Sequence, residues 1–183
     1  RMIKSLCATL LLLCNTTFNF QEDFKYNSNK EFIEGVKNCA VSYNSYSPNQ
    51  LRIPIEIVVG QAVLESDWGK SRFAVEGNNL YGIRTYDLTE QHLKPLRNKD
   101  ARFGLKVYPT KCLSVVDYIE TLQTHHSYVD FREALIKMWS VDEYDIFLLT
   151  ELLYNYSEDE YYAVKLRDAI NYINERKYLY GRE

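Results

Sequence analysis

Apolar and polar positions follow a mostly helical rhythm along this chain. In "KEFIEGVKNCAVSYNSY", Phe32, Ile33, Val36, Cys39, Ala40 and Tyr43 recur at three- and four-residue spacing, which predicts an amphipathic helix. "SPNQLRIP" reads as a connector, and Pro54 suits the first turn of the next helix. That helix, about 54–66, is apolar nearly all round, so it should run through the centre of the core. Gly69, Gly77 and Asn78–Asn79 end it in loops. Between Tyr81 and Tyr108 the rhythm breaks into short segments punctuated by Gly and Pro: "LYGIRTY", "HLKPLR" and "ARFGLKVYP". They predict a small β-hairpin or a two- to three-stranded lobe. Helical patterns return at Lys111, where Leu113, Val116, Tyr118, Ile119 and Leu122 are in register. Three more follow in "YVDFREALIKMW", "VDEYDIFLLTELLYNY" and "YYAVKLRDAINYINERKYLY". Ser157 and Glu160 read as the capping box of the last.

The pattern has no internal repeat, and 183 residues suit one α+β, mainly α domain over 31–183. Residues 21–30, "QEDFKYNSNK", form a polar linker or arm ahead of it. Before that, Lys4 precedes an apolar run from Leu6 to Leu13, well short of the roughly 20 residues a membrane helix needs. Residues 1–20 therefore read as a signal peptide for export to the periplasm or cell envelope, with secretion as the alternative. Lipidation at Cys14 is a weaker reading, because Leu13 stands where a small residue is usual. No membrane span is expected in the mature chain.

Composition narrows the function only slightly. A formal net charge of −3 gives no general attraction to nucleic acid or anionic lipid. The 16 tyrosines suit a polar groove that stacks on sugars, peptides or bases. Cys39 and Cys112 would remain after signal removal, and their spacing leaves two buried thiols and one disulfide both open. No Cys/His spacing resembles a zinc site, and no metal or cofactor is expected.

The chemistry concentrates in "QAVLESDWGKS". Gln61, Glu65 and Trp68 stand at i, i+4 and i+7, which would place them on one face of the central helix and its exit. A carboxylate at a helix C-terminus faces the negative end of the dipole, an effect of about 0.3–1 kcal/mol. Burial beside apolar walls and the Trp68 indole can raise a carboxyl by several units, so burial should dominate. A raised pKa is what a general acid needs near neutral pH. A solvated glutamate at a helix end is the competing reading of these residues alone. Ser66 and Ser71 lack a nucleophile elbow, and His125–His126 would point apart on a helix.

"QAVLESDWGKSRFAVEGNNLYGI" resembles the signature of glycoside hydrolase family 73, the peptidoglycan β-N-acetylglucosaminidases. "SVVDYIETLQTHHSYVDFREAL" and "LLYNYSEDEYYAVKLRDAINYIN" resemble segments of its Bax-type bacterial branch. The likeness spans about Leu51 to Asn174. It implies a lysozyme-like fold whose small β-hairpin lobe borders a glycan-binding cleft. It implies Glu65 as the catalytic acid and Tyr156 as an active-site tyrosine beside it. Gln61, Trp68, Asn79 and Tyr81 are then expected around the substrate. The expected partner is a peptidoglycan glycan strand, acted on by a monomer without nucleic acid.

One element departs from the pattern. Where the branch tends to carry an acidic residue before its lobe strand, this chain has Gly104 in "ARFGLKVYP". Asp87, Glu90 and Asp100 are nearby substitutes that no motif matches. Water held by Tyr156, or the substrate's own 2-acetamido group, could fill the role instead. The activity so implied is hydrolysis of β-1,4 N-acetylglucosaminyl bonds. The alternatives are a lytic transglycosylase on the same polymer and a non-catalytic glycan-binding or morphogenesis module.

Overall fold

A computed structural model describes residues 18–96, 98 and 100–180. The signal reading, with Cys7 and Cys14, falls almost wholly on 1–17 and lies outside the described residues.

Among the described residues seven α-helices surround one core, with a small sheet inserted between the third and fourth. Helix α1 (Asn29–Asn44) starts at Ser28, whose hydroxyl accepts from the Glu31 N–H. Its apolar stripe is buried as its spacing predicts. Helix α2 (Ile55–Ser66) is the central one, with Ile57 to Val63 all buried. Pro54 precedes its first turn as the cap and does not stand within it. A short helix α3 (Arg72–Gly77), capped by Ser71, fills the stretch expected to be loop.

The sheet has three strands, β1 (Arg84–Thr85), β2 (His92–Leu93) and β3 (Gly104–Lys106), in the antiparallel order β1-β3-β2. The lobe is thus a three-stranded sheet whose last strand is central, larger than a hairpin. Lys106 and Tyr108 both bond Asp117 (2.8 and 2.7 Å), which fastens the lobe to helix α4 (Lys111–Thr124). Helices α5 (Val129–Val141), α6 (Ile146–Glu151) and α7 (Tyr162–Glu175) complete the domain.

Helix α7 lies against α2 on Tyr162, Leu166, Ile170 and Ile173. Their approach is close: a β-carbon at Gly60 would stand 2.7 Å from Ile170 Cγ1. The capping box at Ser157 does not form. The Ser157 hydroxyl bonds the Asp159 N–H, Asp159 bonds Tyr161, and α7 begins only at Tyr162.

The expected linker is a strap. Phe24 and Tyr26 pack on the core, as do Phe18 and Phe20 from the end of the stretch read as signal peptide; Asp23 pairs with Lys111 (2.6 Å), and the Tyr26 hydroxyl donates to the Gly69 carbonyl (2.7 Å). Its polar residues face water while alternate aromatics turn inward. Cys39 of α1 and Cys112 of α4 form a disulfide, with Cα atoms 5.3 Å apart.

Candidate active site

Glu65 occupies the last turn of α2, half-buried at the end of the central, largely apolar helix. The chain then turns sharply. Asp67 and Trp68 both adopt left-handed backbone (φ 49° and 58°), and the Ser66 hydroxyl accepts from the Gly69 N–H at 2.7 Å. The turn leaves the carboxyl standing at the helix end.

Burial pushes the Glu65 carboxyl above its usual range, and a hydrogen bond from Tyr162 partly opposes that. The Tyr162 hydroxyl donates to Glu65 Oε1 at 2.7 Å. The dielectric around the acid is lowered by a tyrosine cluster. Tyr118, Tyr128, Tyr156 and Tyr162 all lie close enough for the Glu65 charge to act on their hydroxyls, and burial holds all four pKa values up. These phenols stay protonated through the neutral range, so they surround Glu65 without adding a charge.

Tyr162 and Tyr118 were not singled out from the sequence as site residues. Tyr162 is the tyrosine bonded to the acid, whereas Tyr156 donates to the Tyr81 carbonyl at 2.7 Å and stacks on Tyr162 with ring centroids 5.7 Å apart. The spacing 162, 166, 170, 173 carried the signal, because it marks Tyr162 as the first inward position of α7. The supposed cap at Ser157 obscured it.

The residues expected around the substrate sit mostly below the surface. Gln61 is wholly buried and bonds Tyr162 and Tyr118. Asn79 is buried too; its amide donates to the Ile83 and Lys106 carbonyls, joining the exit of α3 to the lobe. Tyr81 stacks face to face on Tyr118 (centroids 4.0 Å apart) and donates to the Val58 carbonyl. These three shape the site from beneath and leave no side-chain face for a ligand. Trp68 does not share a face with Glu65, since the left-handed turn carries it out of helical register. It meets Tyr172 of α7 edge-on at 5.7 Å and lines a hollow of about 380 Å³ with Leu64 and Asp67.

The three lobe carboxylates are exposed. Asp87 caps its own turn through Thr89, whose two hydrogen bonds hold its pKa down. Glu90 accepts from Thr85 at 3.3 Å. Gly104 has a steric reason: a β-carbon there would lie 2.4 Å from the His92 ring. With the imidazole in that place, the position has no room for a carboxylate.

A hollow of about 630 Å³ opens elsewhere, among Glu56, Met138, Tyr144, Phe147 and Ile170. Glu56 and Glu65 are nine residues apart on α2, roughly 13 Å along the axis, so this hollow belongs to the opposite end of the helix. Among the described residues no group of His, Cys, Asp and Glu could hold a metal ion, and no helix is long and apolar enough to cross a membrane.

A helical domain with a small antiparallel lobe and a half-buried glutamate at the end of its core helix defines the lysozyme-like glycosidase class. The family profile for mannosyl-glycoprotein endo-β-N-acetylglucosaminidase matches residues 44–175, and the chain belongs to this glucosaminidase family. Solved structures agree on the fold. The catalytic domain of the autolysin Auto from Listeria monocytogenes aligns with a TM-score of 0.62 at 22% identity, covering 84% of this chain and 89% of that one. A peptidoglycan hydrolase from Sphingomonas sp. A1 gives 0.61 at 21%, covering 82% and 92%. A glycoside hydrolase domain of FlgJ from Salmonella typhimurium gives 0.56 at 20%, covering 81% and 99%. No curated protein matches the chain in sequence.

Proposed function

We propose that this protein hydrolyses β-1,4 N-acetylglucosaminyl bonds in peptidoglycan, with Glu65 as the general acid. The observation that carries the reading is the half-buried Glu65 carboxyl, raised by burial and held by Tyr162. Such an acid is protonated at higher pH than a solvated glutamate and can deliver its proton to the glycosidic oxygen as the bond breaks. Family membership supports the sugar, and the names of two fold relatives, an autolysin and a peptidoglycan hydrolase, support the polymer. The export expected from residues 1–20 fits a substrate outside the membrane.

The second catalytic role falls to the substrate. Tyr156 directs its proton to the Tyr81 carbonyl and its pKa is raised by burial, so it is a poor base for water. Asp87 and Glu90 are engaged with Thr89 and Thr85 of their own turn. Attack of the 2-acetamido oxygen on the anomeric carbon needs one protein carboxyl only and gives net retention.

The test compares wild type with Glu65→Gln on purified peptidoglycan, with analysis of the released ends. Turbidity loss in the wild type alone, with reducing N-acetylglucosamine ends, is the expected result. Equal loss from both proteins would remove Glu65 from the reaction. Loss from neither would favour a binding module. A 1,6-anhydromuramic end would make the enzyme a lytic transglycosylase, a reading that a single carboxyl also fits.

A further inference from the structure

We propose that Gln61 and Tyr118 are positioning residues that fix which oxygen of Glu65 carries the transferable proton. The inference rests on Glu65 being the acid. It concerns two buried side chains with no route to substrate.

Three hydrogen bonds run in series. The Tyr118 hydroxyl donates to Gln61 Oε1, Gln61 Nε2 donates to the Tyr162 hydroxyl at 2.7 Å, and Tyr162 donates to Glu65 Oε1 at 2.7 Å. Gln61 and Glu65 are one helical turn apart on α2, while Tyr118 comes from α4 and Tyr162 from α7. Every proton in the series points towards Glu65. A phenol has one proton to give, and because the Gln61 amide N–H already occupies the Tyr162 oxygen, that proton goes to Glu65.

The amide could in principle turn over. Its Oε1 would then accept from Tyr162, and Tyr162 would accept from Glu65. Tyr118 prevents this. Its ring is clamped flat against Tyr81, its hydroxyl is buried, and Gln61 Oε1 is its acceptor. With the amide reversed, N–H would face O–H and a buried donor would lose its partner. Among the described residues no buried side-chain polar atom lacks a partner as the amide stands. Glu65 Oε1 is therefore an acceptor in both protonation states, and the acidic proton resides on Oε2.

The test is a double-mutant cycle read by pH. Tyr118→Phe keeps the stacked ring and deletes the donor that orients the amide; Tyr162→Phe deletes the last link. The bond from Tyr162 favours the carboxylate, so losing it raises the acid's pKa and moves the alkaline limb of kcat/KM to higher pH. Tyr118→Phe should produce the same upward shift, lower kcat roughly tenfold, a part of the 10²–10⁴ a general acid contributes, and leave KM in place. The double variant should shift no further than Tyr162→Phe. A limb that stays put in Tyr118→Phe but moves in Tyr162→Phe would overturn the proposal, as would additive shifts. Full activity in Glu65→Gln would instead remove the acid itself, and the proposal with it. If Tyr118→Phe does not fold, NMR of the wild type decides. The Gln61 side-chain amide should exchange slowly and its shifts should follow the titration of Glu65; rapid exchange or flat shifts would refute the series.

Discussion

Glu65→Gln should abolish activity and stabilise the fold at alkaline pH. Burial raises the carboxyl above the unfolded value near 4.3, and the Tyr162 bond opposes that only in part. A raised acid is one that the native state prefers to keep protonated. Its stabilising contribution is complete below the unfolded pKa and is lost as pH rises through the folded pKa. Glutamine keeps the shape and an oxygen for Tyr162 but never ionises. Each unit by which burial raises the carboxyl corresponds to about 1.4 kcal/mol. In a domain of this size 1 kcal/mol moves Tm by about 2–4 °C. Thermal unfolding of both proteins at about pH 3.5 and about pH 8 measures the difference, since the first lies below the free carboxyl pKa and the second above it. The two should melt together in acid, and the variant should melt several degrees higher in base. A variant no more stable at the higher pH, or equally shifted at both, would refute the view that burial dominates at Glu65.

Further outcomes concern two fastenings of the scaffold, the disulfide and the strap. The disulfide joins cysteines 73 positions apart, a loop whose closure is worth about 4 kcal/mol on chain-entropy grounds. Replacing both cysteines with alanine should lower Tm by roughly 8–16 °C at 2–4 °C per kcal/mol, and an unchanged Tm would contradict that. At the strap, Tyr26→Phe should cost about 1 kcal/mol in a urea titration by losing one hydrogen bond to Gly69. Gly69→Ala should cost more, because φ is +76° and the new carbon would lie 2.3 Å from the Tyr26 hydroxyl. Combining the two should relieve little of the Gly69→Ala cost, because the Phe32 ring (2.7 Å) and the Tyr26 ring carbon Cζ (2.8 Å) still crowd the new carbon.

The long helices were legible in the sequence because they depend on local periodicity, whereas the short α3 was read as loop. Helix α2 has no polar face, so its central place followed from composition; the local pattern left Glu65 open between a solvated and a buried carboxyl, and only the family resemblance singled it out. Trp68 misled for a local reason as well. Two consecutive left-handed residues are rare outside glycine, and helical extrapolation through Asp67 puts the indole on the wrong side. The strap was hidden by the polar residues around Phe24 and Tyr26. Contacts across long separations left no trace in local patterning. Nothing near Cys39 points to Cys112, and nothing near Gln61 announces a hydroxyl from Tyr118. Those depend on how α1, α4 and α7 close around α2.

The burial of α2 also bears on how the enzyme can fail. Ile57 to Val63 are covered from several sides by α1, α6 and α7, so the helix has no way to fray towards Glu65 without the surrounding helices parting. Backbone amides of this helix should exchange with solvent only through whole-domain opening, while those of the lobe exchange through local openings. Heat or denaturant would therefore extinguish catalysis in step with global melting. Residual turnover would serve as a direct count of intact molecules.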